Sequence, residues 1–149
     1  MLHRLKLNSE LPLSRQTVIN VFLSSTWIKT DIQTVLKPYD LSIEQFNVLR
    51  ILRGQKGNPL NLQDIQERMV SKMSNTTRLI DKLIKKDLVK RNQCVENRRK
   101  IEIYITQKGI KILKIIDPII DQAEEKITSN LSETELRELN KLLLKLKQQ

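Results

Sequence analysis

Asn75, Arg78, Lys82, Lys85 and Lys86 recur at helical spacing, so one face of a helix would present a carboxamide beside a row of cations. Ser74, Thr76 and Thr77 fall in or next to the first turns of the same helix. These groups can read a double helix: a guanidinium pairs with guanine, a carboxamide with adenine, and hydroxyls with several base edges. Whether Arg78 meets a base or a phosphate stays open at this point, and Thr76 and Thr77 have the alternative of packing inward. Lys72, Lys82 and Lys85 suit phosphate contact or plain solvation. Further along, the polar run Glu96-Asn97-Arg98-Arg99 sets Arg98 and Arg99 side by side, a pair fitted to backbone phosphates or a narrow minor groove.

The apolar residues of the same stretch indicate what must position these groups. Met73, Thr76, Thr77, Ile80, Leu83 and Ile84 fall on the opposite face, with Leu79 at its edge, the spacing of a half-buried helix. Beyond it, Ile101, Ile103 and Ile105 alternate with Lys100, Glu102 and Tyr104, the period of a half-buried strand. With Leu88 to Cys94 as one strand and Arg99 to Ile105 as the other, the polar run becomes a hairpin tip. A polar-faced helix followed by a basic-tipped hairpin is what a winged helix-turn-helix needs. The helix fills the major groove and the tip reaches the backbone or the minor groove.

The 149 residues suit one domain with its own core. Lys and Arg number 27 against 17 acidic residues, a formal charge of +10, which favours anionic partners and nucleic acid first. A membrane surface fits less well, because the cations gather around the hairpin and its helix instead of lining one amphipathic face. Aromatics are 3% of the chain, too few for stacking platforms on single strands. The single cysteine, Cys94, excludes an internal disulfide and a zinc knuckle, and a reducing cytoplasm suits it. No apolar run approaches the ~20 residues of a membrane span, and the first residues lack a signal-peptide core. There is no Gly-rich phosphate loop and no His-Glu-x-x-His. The expectation is a cytoplasmic binding protein, not an enzyme, with no cofactor and no metal.

Long Leu/Ile/Lys segments and only 3 glycines point to a mainly α fold with a small β-hairpin wing. Taken in order, an irregular arm ends at Pro12. Ser14 is a plausible cap for a first helix running to about Lys37, where Pro38 stops it. Ser42 with Gln45 forms a capping box for a second helix that turns Phe46, Leu49 and Leu52 inward. Asn61 caps a third, with Leu62, Ile65, Met69 and Val70 as its expected buried side. Ser71 or Ser74 caps the polar-faced fourth. After the hairpin, Thr106 caps a fifth helix in which Pro118 should produce a bend. Ser132 with Glu135 starts a sixth, where Leu136, Leu139, Leu142, Leu143 and Leu146 make a broad stripe. The first and last helices thus carry more apolar surface than one core can use.

The most distinctive run is Thr77-Arg78-Leu79-Ile80-Asp81-Lys82-Leu83, then Lys86-Asp87-Leu88-Val89-Lys90-Arg91, then Arg98-Arg99 and Ile105-Thr106-Gln107-Lys108-Gly109. In this order and spacing the chain resembles the MarR family of bacterial transcription regulators over roughly residues 14–147. The resemblance implies a single domain over 1–149, with 1–40 and 107–149 as dimerisation helices around a winged helix-turn-helix at 41–106. It implies a homodimer on a pseudo-palindromic double-stranded operator, usually as a repressor, often released by a phenolic or anionic small molecule or by an oxidant. The DNA-binding set it implies is Lys72, Ser74, Asn75, Thr76, Thr77, Arg78, Lys82, Arg98 and Arg99, with Arg99 as the wing arginine. Phe22, Trp27 and Tyr39 are candidates for an effector pocket, and His3 and Arg15 for holding an anion; core or interface packing is the plainer role for the aromatics. Cys94 does not match the family's peroxide-sensing position. Two departures stand out: Asn97 replaces the usual wing aspartate, and Asp87 replaces the usual glycine before Leu88. A winged-helix module that binds protein without specific DNA binding is the alternative.

Overall fold

The computed structural model describes residues 11–148. Helix α1 spans Leu13–Leu36 and α2 Ile43–Arg53, joined through a short 3-10 turn at Lys37–Tyr39. Then come α3 (Leu62–Arg68), α4 (Thr76–Lys85), strands β1 (Val89–Gln93) and β2 (Ile101–Ile105), α5 (Gln107–Thr128) and α6 (Glu133–Lys147). Among the described residues no helix is long and apolar enough to cross a membrane.

Local chemistry accounts for most of the helix starts. Ser42 and Gln45 form a reciprocal capping box on α2, and Ser132 and Glu135 another on α6. Asn61 caps α3 and Thr106 caps α5. Each such cap stabilises its helix by roughly 1 kcal/mol. Two boundaries differ from the sequence expectation. Pro12, not Ser14, precedes α1, and no side chain caps it. The α4 cap is Asn75, whose carboxamide oxygen accepts the Arg78 N–H at 3.1 Å, so neither Ser71 nor Ser74 holds that place.

The core is built by the end of α1, by α2 to α5 and by the hairpin. Leu36, Leu49, Leu52, Ile65, Ile80, Leu83, Leu113 and Ile116 are fully or almost fully enclosed. β1 and β2 pair antiparallel from Val89 opposite Ile105 to Gln93 opposite Ile101. Leu60 adds a one-residue bridge to the far edge, exchanging both backbone hydrogen bonds with Ile103 at 2.8 and 3.1 Å. Leu62 and Val70, expected to be buried with Ile65 and Met69, are exposed; α3 ends at Arg68, so Val70 lies beyond its helical phase. α6 buries none of its residues, and most of α1 before Leu36 is exposed as well.

The junction between the hairpin and α5 depends on close approach. The Thr106 hydroxyl accepts the Gly109 N–H at 3.0 Å and donates to the Asp87 carbonyl at 2.7 Å. A Cβ at Gly109 would lie 2.4 Å from the Leu88 carbonyl oxygen, so only glycine lets α5 start against the foot of β1. Asp87 itself takes the left-handed conformation, φ 58°, which Asp tolerates better than most side chains. A side chain therefore stands where the resemblance leads one to expect glycine.

Candidate nucleic-acid interface

α4 divides cleanly by burial. Ile80 and Leu83 are enclosed, whereas Thr77, Arg78, Lys82 and Lys85 are exposed. Thr76 corrects the sequence reading: it is 4% exposed and points into the domain, so it does not belong to a DNA-contacting set. Its hydroxyl donates to the Gln66 carboxamide oxygen. The nitrogen of the same carboxamide donates to the Lys72 carbonyl at 2.7 Å. One side chain of α3 therefore clamps both the start of α4 and the turn before it. Nothing in the sequence pattern singled out Gln66, since its role depends on a partner ten residues away.

Met73 is the second correction. It was expected on the inner face of α4, but the helix begins three residues later and Met73 is 95% exposed. Ser74 is partly buried in this turn, with its N–H donated to the Ser71 carbonyl at 3.3 Å. Lys72 bends back so that its ammonium donates to the Glu67 carbonyl.

The hairpin tip is held by backbone bonds. Cys94 donates to the Lys100 carbonyl at 2.9 Å, and Lys100 to the Asn97 carbonyl at 2.8 Å. The Asn97 carboxamide oxygen accepts the Arg99 backbone N–H at 3.1 Å. Asn97 thus fixes the turn and leaves the Arg99 guanidinium unengaged. Arg98 and Arg99 are both exposed. Behind the tip, the Tyr104 hydroxyl donates to Glu102 at 2.8 Å, and this bond, together with burial, holds the phenol above its usual pKa. The Lys90 ammonium lies 5.4 Å from the Tyr104 ring centroid. Arg91 of β1 pairs with Asp81 of α4 at 3.0 Å, which ties hairpin to helix across the exposed side.

The charge balance at this surface is one-sided. Among the described residues, Lys72, Arg78, Lys82, Lys85, Arg98 and Arg99 have no carboxylate within ion-pair distance; the pairs found there engage Arg53, Lys86, Arg91, Lys108 and Arg137. Cations without a carboxylate partner on a capped helix and a stiffened hairpin are suited to a row of phosphates, and Asn75 and Arg78 on the exposed first turn carry donors that a base edge or a phosphate could accept.

The effector candidates differ in their surroundings. Phe22 is 70% exposed and Trp27 38% exposed on α1, while Tyr39 packs against the core. A cleft of about 620 Å³ between the α1–α2 connection and α4 is lined instead by residues such as Gln33, Lys37, Gln45, Lys82 and Lys86. Arg15 is exposed on α1, and His3 lies outside the described residues. Cys94 is a free thiol at the end of the hairpin strand, partly covered.

Comparison with known proteins agrees with this architecture. The MarR family model matches residues 41–101. The HTH-type transcriptional regulator MgrA of Staphylococcus aureus is 31% identical over 111 residues, covering 73% of this chain and 71% of that one. The chain belongs to the MarR family. The uncharacterised HTH-type transcriptional regulator YfiV of Bacillus subtilis is 37% identical over 75 residues, half of this chain and 46% of its own length. Among solved structures, E. coli MarR in complex with operator DNA has a TM-score of 0.78 at 22% identity, covering 93% of this chain and 95% of that one. Bordetella bronchiseptica BpsR, whose DNA binding is regulated by 6-hydroxynicotinic acid, has a TM-score of 0.82 at 20% identity, covering 95% and 99%. At such identities the two structures establish the shared fold. The six-helix, one-hairpin architecture is that of a MarR-type winged helix.

Proposed function

We propose that this MarR-family chain is a sequence-specific, double-stranded-DNA-binding transcription regulator that acts as a homodimer on a pseudo-palindromic operator. The observation that carries the reading is the set of unpaired cations on the turn before α4, on α4 itself and on the hairpin tip, together with the Asn75 cap that orients the first turn. Operator binding by E. coli MarR, which shares the fold, supports it. Residues 41–106 form the reading head, and the described helices within 1–40 and 107–149 supply the dimer interface. The exposed apolar side chains of the terminal helices, such as Phe22 of α1 and Leu142 of α6, are the surface a second copy would cover. Two heads then enter successive major grooves when spaced about one DNA turn, ~34–36 Å.

Repression follows from occupancy, and release requires only that a small molecule favour a different head spacing. A differential affinity of a few kcal/mol shifts such an equilibrium decisively. Regulation of BpsR by a hydroxylated aromatic acid supports a phenolic or anionic effector. The role is one of binding, with no reaction catalysed.

Selection of sites from a randomised duplex pool, followed by fluorescence anisotropy on selected and scrambled duplexes, tests this reading. The expected result is a palindromic consensus, a large affinity difference and a log K against log salt slope of about −0.9 per neutralised phosphate. Equal affinity for both duplexes, or a salt-independent one, overturns it. Light scattering tests the dimer. A stable monomer would favour the alternative, in which the exposed terminal helices dock a different protein.

A further inference from the structure

We propose that Met73 reads thymine by packing against C5-methyl groups in the operator's major groove; this rests on the DNA-binding reading above. Among the described residues, the large apolar side chains more than four-fifths exposed are Val70 at 86%, Met73 at 95% and Val95 at 98%. All of them flank the reading elements, two just before α4 and one at the hairpin tip. The next most exposed apolar residues, Leu13 at 78% and Phe22 at 70%, lie on α1, where the proposed second copy would cover them.

The turn that carries Met73 is held in place. Gln66 fixes the Lys72 carbonyl on one side of it and Thr76 on the other, and Ser74 closes onto Ser71. Met73 lines a shallow cleft of about 420 Å³ with Asn75, Arg78, Leu79, Lys82 and Glu44. Asn75 and Arg78 offer hydrogen-bond donors there, and Met73 offers a flexible apolar arm. Two cations of its lining, Arg78 and Lys82, against the one carboxylate of Glu44, favour a polyanion over an apolar protein surface. At a major-groove base edge, the apolar group available is the thymine methyl.

The test compares wild type with Met73→Ala and Met73→Gln. Both substitutions fall on an exposed side chain that the fold does not use, and circular dichroism and melting should match wild type. Site selection should give a thymine at one or more positions in each half-site with wild type, and that preference should be lost with either variant. Replacing those thymines by deoxyuridine, which lacks the methyl, should weaken wild-type binding by about fourfold per buried methyl and leave Met73→Ala binding unchanged. If both variants select the same thymines, or if wild type is indifferent to deoxyuridine, the inference is overturned while the DNA-binding reading stands. If wild type enriches no site at all, both are overturned.

Discussion

Asn75 serves two purposes that substitution can separate. Its carboxamide oxygen accepts the Arg78 N–H at 3.1 Å and caps α4, while the residue itself is exposed at the N-terminal end of α4, the end proposed to enter the groove. Asn75→Ala removes the cap, at a cost of about 1 kcal/mol. With an unfolding entropy of about 2.1 cal/mol/K per residue over the 149-residue chain, that loss lowers Tm by about 3 °C. Asn75→Asp keeps an acceptor in the same place and adds a negative charge at the positive end of α4, worth about 0.3–1 kcal/mol. Its Tm should therefore hold or rise. On DNA both variants should lose affinity, by about tenfold or more if the carboxamide pairs with a base. Asp should be the weaker binder, because its carboxylate faces phosphates. Differential scanning calorimetry at one fixed protein concentration, since self-association shifts Tm, and anisotropy on the selected operator give the two readouts. If Asn75→Asp binds like wild type, Asn75 is outside the interface and the placement of the reading surface is wrong. If Asn75→Ala melts like wild type, the cap contributes no stability.

Other substitutions probe the wing, the hairpin junction and α6. Arg99→Ala should weaken binding mainly on operators with A·T-rich flanks, where a narrow minor groove attracts the guanidinium; equal loss on G·C-rich flanks in the same anisotropy assay would contradict that. Gly109→Ala decides between two effects of opposite sign. Helix propensity favours Ala by about 1 kcal/mol, but the new Cβ would meet the Leu88 carbonyl oxygen at 2.4 Å and the Ile105 side chain at 2.7 Å. Overpacking of this kind costs about 1–3 kcal/mol or more, so denaturant melts should show a net loss; a gain would mean the junction relaxes freely. Glu135 accepts hydrogen bonds from the Ser132 N–H and hydroxyl, which hold its carboxyl below the usual glutamate pKa. Because the folded value is the depressed one, the contribution is complete above the unfolded pKa and is lost as pH falls through the folded value. Glu135→Gln should keep the capping box, as Gln45 does on α2, and flatten the acid limb of helicity; an unchanged limb assigns the acid sensitivity elsewhere.

Much of this protein was legible in the order of its residues because the deciding chemistry is local. Ser42 with Gln45, Asn61, Thr106 and Ser132 with Glu135 each satisfy backbone groups within three residues of themselves, so their sequence context suffices. The alternation of Ile101, Ile103 and Ile105 sets the hairpin by the same short-range logic, and the family motifs follow these elements. What only the tertiary structure decided depends on distant partners. The sequence offers Ser71 and Ser74 as caps for α4, whereas Asn75 holds the place, with Gln66 of α3 anchoring Lys72 and Thr76 on either side of the turn. That anchor delays the start of the helix to Thr76. Thr76 is thereby drawn into the core, while Met73 is released from the helical phase that had placed it there. Likewise Arg53 of α2 meets Asp117 of α5 across 64 residues, and Gly109 is needed because the Leu88 carbonyl oxygen arrives from the other side of the hairpin. A cap or a strand face is fixed by neighbours along the chain, whereas the exposure of a single side chain depends on what the rest of the fold brings against it.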